Sequence, residues 1–202
     1  MRRLLIYLPA IVGGFGAGAA AALLATGMVG GTRGFAFNDV SIAGWSSDWS
    51  IGSEAADPLT RARVARHGLL ALAKEEAVYF TRRVDDDGQA LTERCVYRLS
   101  GGDQPAEWWS ITLYDDQSRL PMNGGTALSI DKTQVGEGQA WSARVAATPP
   151  ADDTHFLSSQ AGGRFDLTLR LYRPSSALIE DPETRLNPPS IERVGCDREG
   201  GG

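Results

Sequence analysis

A chain of 202 residues has room for one medium-sized domain and a targeting segment. With 22% charged and 42% hydrophobic residues it has the balance of a folded protein, which excludes wholesale disorder. The net charge is −5, and once Arg2 and Arg3 are set aside 18 basic residues face 25 acidic ones. The basic footprint needed to displace counterions is missing, so no nucleic acid is expected as a partner.

From Leu4 to Val29 the chain runs 26 residues without a charge. As a helix this run is about 39 Å long, against a hydrocarbon core of ~30 Å. Arg2 and Arg3 precede it, so the positive-inside rule keeps the N-terminus in the cytoplasm and exports the rest. The expectation is a single-pass helix through residues 4–29 in a bacterial inner membrane, with the C-terminal domain in the periplasm. The rival reading is a cleavable signal peptide, whose apolar region usually spans about 7–15 residues. Gly13, Gly14, Gly16, Gly18, Gly27 and Gly30 weaken the hydrophobicity, and Gly34-Phe35-Ala36 offers small residues for cleavage. Gly14 and Gly18 have the spacing that lets two membrane helices approach closely, which would permit a weak homodimer, although glycine-rich spans produce such pairs by chance. "GGFGAG" imitates a dinucleotide-binding loop without the preceding strand, and no cofactor is expected from it.

Residues 1–30 therefore read as anchor or signal segment, 31–44 as a linker, 45–196 as the folded domain and 197–202 as a frayed tail. Trp45 and Trp49 suit either an interfacial anchor or the first piece of the domain, and the second is the better account. Asp57-Pro58 is a helix start, with Asp as N-cap and Pro in the first turn, and the apolar spacing that follows predicts one amphipathic helix over 58–74. Beyond Lys74 the period becomes alternating. "EEAVYFTRRV" reads as a strand, "DDDGQ" as a turn and "LTERCVYRL" as the returning strand, with Asp87-Gly88 as the hairpin signal. The three aspartates do not make an EF-hand, because Ala90 stands where that loop needs glycine. Further strands follow near 106–115, in "TALSID", in "QAWSARVA" and near 164–173, with "SIERVGC" as a last edge strand. Six to eight strands and one main helix predict a mainly β fold, an antiparallel β-sandwich of jelly-roll-like form.

These segments also resemble a known family. "AADPLTRARVARHGLLALAKEEAVYF", "WWSITLYD", "FDLTLRLYRP" and "PPSIERV" occur in the order of the bacterial domain of unknown function 1214, over about residues 45–195. The resemblance implies a mostly β, jelly-roll-like domain in the short, membrane-anchored form that lacks a larger companion domain. It brings no established activity and no catalytic residue. The chain departs from the usual pattern at "GEGQAW" and "THFLSS", which puts in question any role of those loops in a common site.

Strand alternation sets out the candidate chemistry. In 106–115, Trp109, Ile111 and Leu113 make a core face, and Trp108, Ser110, Thr112 and Tyr114 the opposite one. In 164–173, Phe165, Leu167, Leu169 and Leu171 point inward, with Asp166, Thr168, Arg170 and Tyr172 opposite. If the strands lie close, the combined surface offers hydroxyls, a carboxylate, a guanidinium and three rings, which suits a small polar ligand or a glycan. The plain alternative is ordinary sheet-surface pairing, with the helix at 58–74 covering the rings. Glu76 is the carboxylate most suited to pair with Arg170, since Glu75 points to the other face. Ser129-Ile130-Asp131-Lys132 matches S-x-x-K by accident, without the accompanying motifs. His67 and His155 are too few for a metal cage, so no metal is expected. Cys95 and Cys196 form a disulfide candidate in an oxidising compartment, the alternative being two separate thiols.

The function expected is that of a membrane-anchored periplasmic β-sandwich serving as a binding or envelope-structural module. The alternative is an enzyme acting on an envelope polysaccharide or another small polar substrate.

Overall fold

A computed structural model describes residues 2–25, 40–49, 72–125, 127–136, 138 and 140–197. The helix expected over 58–74 lies outside the described residues except for its end, where 74–76 form a turn before the first long strand.

Helix α1 spans Arg2–Ala25. Among the described residues no helix is long and apolar enough to cross a membrane, so the transmembrane span expected over 4–29 has no support in the fold. Glycine and alanine make up most of residues 11–24 and contribute little apolar surface.

The rest of the described chain is mainly β, in two sheets. The first comprises β1 (Val40–Ile42), β2 (Trp45–Ser47), β3 (Ala77–Arg82), β5 (Ala106–Asp115), β6 (Ser129–Asp131) and β9 (Phe165–Pro174), ordered β1-β2-β3-β9-β5-β6. The second comprises β4 (Cys95–Gly101), β7 (Trp141–Ala146), β8 (His155–Ser158) and β10 (Ser190–Cys196), ordered β10-β4-β7-β8. Three short helices complete the described chain: α2 (Lys132–Val135), α3 (Ser176–Glu180) and α4 (Pro182–Arg185). Val40–Ile42, assigned to the linker from sequence, forms the edge strand β1 against β2.

The inner faces follow the alternation of the sequence. Trp109, Ile111 and Leu113 from β5 and Phe165, Leu167, Leu169 and Leu171 from β9 are buried in one core with Tyr97, Leu99, Val145, Leu157 and Ile191 of the second sheet. Two ring contacts join the layers: Trp109 stacks on Trp141 at 5.1 Å between centroids, and Tyr97 meets Phe165 edge-on at 5.9 Å. Trp45 is fully buried and its indole N–H donates to Pro189 O at 2.8 Å, so this tryptophan is part of the core. Gly101 permits one close approach, since a Cβ there would lie 2.7 Å from Trp141 Cζ2.

Two expectations about connectivity are corrected. The Asp87-Gly88 turn forms, with Asp85 N–H donating to Gln89 O at 2.9 Å and Gly88 at a φ of 77°, but its flanks meet only in the Val84–Ala90 bridge. Strands β3 and β4 then diverge into different sheets, so they are not a hairpin pair. The cause is visible at Asp85, whose carboxylate accepts from the N–H groups of Asp87 and Gln89 and also pairs with Arg193 of β10 at 2.8 Å. The turn is thereby held to the second sheet. In addition, β8 runs parallel to β7, against the expected all-antiparallel pattern. The loop between them contains Pro149 and Pro150, which cannot donate to a hairpin ladder.

Along one side the two sheets meet. Ser158 N–H, at the end of β8, donates to Ala127 O just before β6 at 2.6 Å. On the other side, Asp86 N–H donates to Ile191 O, and the Asp86 carboxylate accepts from Ile191 N–H at 3.1 Å.

Candidate functional site

β9 lies between β3 and β5, and its register aligns the outer faces of three strands. Trp108 stands opposite Tyr172, Ser110 opposite Arg170, Thr112 opposite Thr168 and Tyr114 opposite Asp166. Across the other ladder, Tyr79 faces Arg170 and Thr81 faces Thr168. With Ser46 paired to Thr81 and Ser129 to Thr112, one row of five hydroxyl residues, Ser46-Thr81-Thr168-Thr112-Ser129, crosses five strands.

Arg170 is the half-buried centre of this face. Its guanidinium donates to the Tyr114 hydroxyl and sits 5.3 Å from that ring's centroid. The phenol of Tyr79 is raised from its ordinary value, first by burial and next by the nearby Tyr172, with Arg170 opposing and Tyr114 adding. Three tyrosines thus surround one arginine. At the end of the face, Trp108 packs on Tyr172 with centroids 5.3 Å apart, and its indole N–H donates to Thr133 Oγ1 at 3.0 Å. Trp108 remains 36% exposed, whereas Ser110, Thr112, Thr168 and Asp166 are buried.

Asp166 is the electrostatic exception. Burial pushes its carboxyl up to about 6; Arg83 and the Thr168 hydroxyl pull it down, and Asp115 adds a smaller upward push. The Arg83 contact is long, 3.6 Å from Nε to Oδ2, and Arg83 is largely exposed, so screening leaves desolvation in command. The Thr168 hydroxyl lies 3.3 Å from Asp166 Oδ1 and 3.1 Å from Thr81 Oγ1. Chemically the face supplies a cation for an anionic group, phenols and hydroxyls for polar contacts, rings for stacking, and a carboxyl able to change protonation near neutral pH.

Eight of the residues expected from sequence (Trp108, Ser110, Thr112, Tyr114, Asp166, Thr168, Arg170 and Tyr172) therefore lie together. Glu76 does not join them. It is exposed in the turn before β3, where its carbonyl accepts Arg173 N–H at 2.8 Å, and Arg170 turns to Tyr114 instead. Tyr79, Thr81 and Arg83 were missed because β3 was assigned to β4. The signal was present, since Tyr79 and Thr81 alternate with Val78 and Phe80 in the same pattern as β5 and β9. Cys95 and Cys196 are disulfide-bonded, away from this face. Among the described residues no group of three or more His, Cys, Asp or Glu side chains gathers to hold a metal ion; His155 is exposed at the start of β8 and His67 lies outside the described residues.

Two sheets with this strand pattern, one of them carrying a polar outer face, define the class: a mainly β domain. Residues 76–176 match the family described as Protein of unknown function (DUF1214), and the chain belongs to that family. The solved VPA0106 protein from Vibrio parahaemolyticus is similar at 22% identity and a TM-score of 0.55, over 70% of this chain and 36% of its own. An uncharacterized protein from Burkholderia cenocepacia is similar at 19% identity and a TM-score of 0.39, over 61% of this chain and 31% of its own. The chain thus spans about a third of the length of these structures, and the first of them supports the fold alone. No curated protein matches the chain.

Proposed function

We propose that the domain is a binding module of the bacterial cell envelope that takes a small polar, anionic ligand, or a glycan bearing such a group, on the outer face of the six-stranded sheet. The observation that carries this reading is Arg170, held half-buried among Tyr79, Tyr114 and Tyr172 with the exposed Trp108 at the end of the same face. A guanidinium in partly desolvated surroundings binds carboxylate or phosphate through paired N–H donors, and indole and phenol rings stack on the apolar faces of sugars.

The placement in the envelope belongs to the same proposal. Its support is the 26-residue uncharged run after Arg2-Arg3 and the disulfide, a bond that persists in oxidising compartments. Ile11, Val12, Phe15 and Leu24 of α1 are exposed, as suits a segment held by lipid or removed on export. Fractionation of cells making the full chain decides between these: an intact N-terminus in the membrane fraction supports the anchor, and a soluble product starting near residue 37 supports cleavage.

The binding test is a thermal-shift and calorimetric screen of the full chain with acidic sugars, neutral sugars and peptidoglycan fragments. Acidic compounds are expected to raise the melting temperature, and Arg170→Ala to weaken their binding by at least about tenfold, the loss of one charge-assisted contact of roughly 1.5–3 kcal/mol. If no compound shifts melting, the ligand reading fails. Asp166 favours a second reading, an enzyme acting on the same class of compound, because a carboxyl near 6 suits general acid–base work. Product formation that is lost in Asp166→Asn while binding persists would select it.

A further inference from the structure

A second site lies at the end of β10. Cys95 and Cys196 are directly opposite one another on β4 and β10, with Cα atoms 3.9 Å apart, closer than the usual range of about 4.4–6.8 Å. The β4–β10 ladder shifts register between Arg193 and Gly195, so the bonded pair lies beyond a bulge. The two cysteines differ in access: Cys95 is buried and Cys196 exposed. Both line a cavity of about 300 Å³, with Thr92, Arg94, Arg193 and Asp197 among its walls. On the buried side, Thr92 Oγ1 donates to Cys95 Sγ at 3.5 Å. The walls carry both signs of charge, Arg94 and Arg193 beside Asp197, and Arg193 is itself paired from outside the cavity by Asp85.

We propose that this disulfide is a thiol–disulfide exchange site, with the cavity as the seat of a small zwitterionic thiol of the cysteine or short cysteinyl-peptide class. The volume is that of a small-ligand pocket, and walls bearing both signs of charge match an ammonium and a carboxylate carried together. The incoming thiolate attacks Cys196 Sγ, the accessible sulfur. The protein S–S bond breaks as the mixed disulfide forms, and its electron pair leaves on Cys95 Sγ as a thiolate, which the Thr92 hydroxyl stabilises. A second thiolate attacks the bound thiol's sulfur and releases Cys196 as a thiolate. In sum two thiols become one disulfide, and the protein gains two electrons and two protons. The bulge lets the end of β10 leave β4 without disturbing the Ser190–Arg193 ladder.

The test uses the oxidised full chain under native conditions, with cysteine as the probe thiol and mercaptoethanol as an uncharged comparison, read by alkylation and intact mass. Reduction is expected to be first order in thiol while the fold persists, and faster with cysteine than with mercaptoethanol at matched thiolate concentration. Cys95→Ser incubated with cystine is expected to capture one cysteinyl group on Cys196. Thr92→Val is expected to slow reduction by roughly tenfold, as loss of one hydrogen bond to a developing thiolate implies. Reduction at a rate independent of thiol concentration, set by unfolding, overturns the exchange site. Equal rates for the two thiols overturn the cavity as the seat, even where the Thr92 variant folds poorly.

Discussion

Asp166 carries its charge at a cost to the fold. Its carboxyl is raised from 3.8 to about 6, so between about pH 4 and pH 6 the native state binds more protons than the unfolded state and stability falls as pH rises. Below about pH 4 the group is neutral in both states and costs nothing, while above about pH 6 the full penalty, about 2–3 kcal/mol, is present. Asp166→Asn is therefore expected to stabilise the protein at pH 8, with the lost Arg83 contact subtracting little, and to leave it nearly unchanged at pH 3.5. Urea unfolding at the two pH values measures the difference, and an equal effect at both would sink the assignment. The same proton sets the direction of the neighbouring hydrogen bonds. An ionised Asp166 only accepts, so Thr168 donates to it and Thr81 donates to Thr168; a protonated Asp166 can reverse both. Asp85 has the opposite role, since its fully buried carboxylate holds two backbone N–H groups and Arg193. Asp85→Ala is expected to lower stability by about 3 kcal/mol, read from the urea midpoint, because it leaves two backbone N–H groups without their acceptor and Arg193 without its partner charge.

Strands β5 and β9 were legible because both alternate apolar and polar residues over a full span, and the apolar set of each is buried in the core. Their joint outer face was legible for the same reason. β3 carries equal alternation, but its partner was not, because the turn at 85–89 speaks locally for a hairpin while the Asp85–Arg193 and Asp86–Ile191 contacts, more than a hundred residues apart in the chain, carry the return strand to another sheet. Glu76 was misplaced for a related reason: period alone does not say where a strand begins, and the chain is still turning at 74–76. β8 was missed because it has only four residues and a parallel partner, and short parallel strands leave little period to read. Sequence could not foresee the contact at Gly101 either, where β4 passes beneath the Trp141 ring. Gly101→Ala is expected to cost about 1–3 kcal/mol, since the new methyl must push the indole off Trp109; an unchanged urea midpoint would show that the ring gives way freely.

In the molecule as a whole, the disulfide closes a loop of 101 residues between the start of β4 and the end of β10. On the chain-entropy account this is worth about 4–5 kcal/mol, less the cost of holding the strands so close. The Cys95→Ser, Cys196→Ser double variant is expected to unfold at lower denaturant concentration while retaining its far-ultraviolet dichroism, because the β4–β10 ladder from Ser190 to Arg193 does not depend on the bond. The pairing of these two cysteines was expected from their even number and from reading the N-terminal run as an export segment; their place at the mouth of a cavity was not, since it depends on the bulge that precedes Gly195.

The seam between β6 and β8 bears on how the domain behaves in a crowd of its own copies. A strand at the margin of a sheet offers unpaired N–H and C=O groups to any passing chain, and long flat margins nucleate fibrils. Here β6 and β8, three and four residues long, stand at the margins of different sheets and are turned toward one another, with Ser158 N–H already committed to Ala127 O. At the other margin of the second sheet, the bulge at Arg193–Gly195 and the cross-link to β4 break the regular spacing that an incoming strand would need. Among the described residues the smaller sheet is thereby guarded at both ends against self-templating.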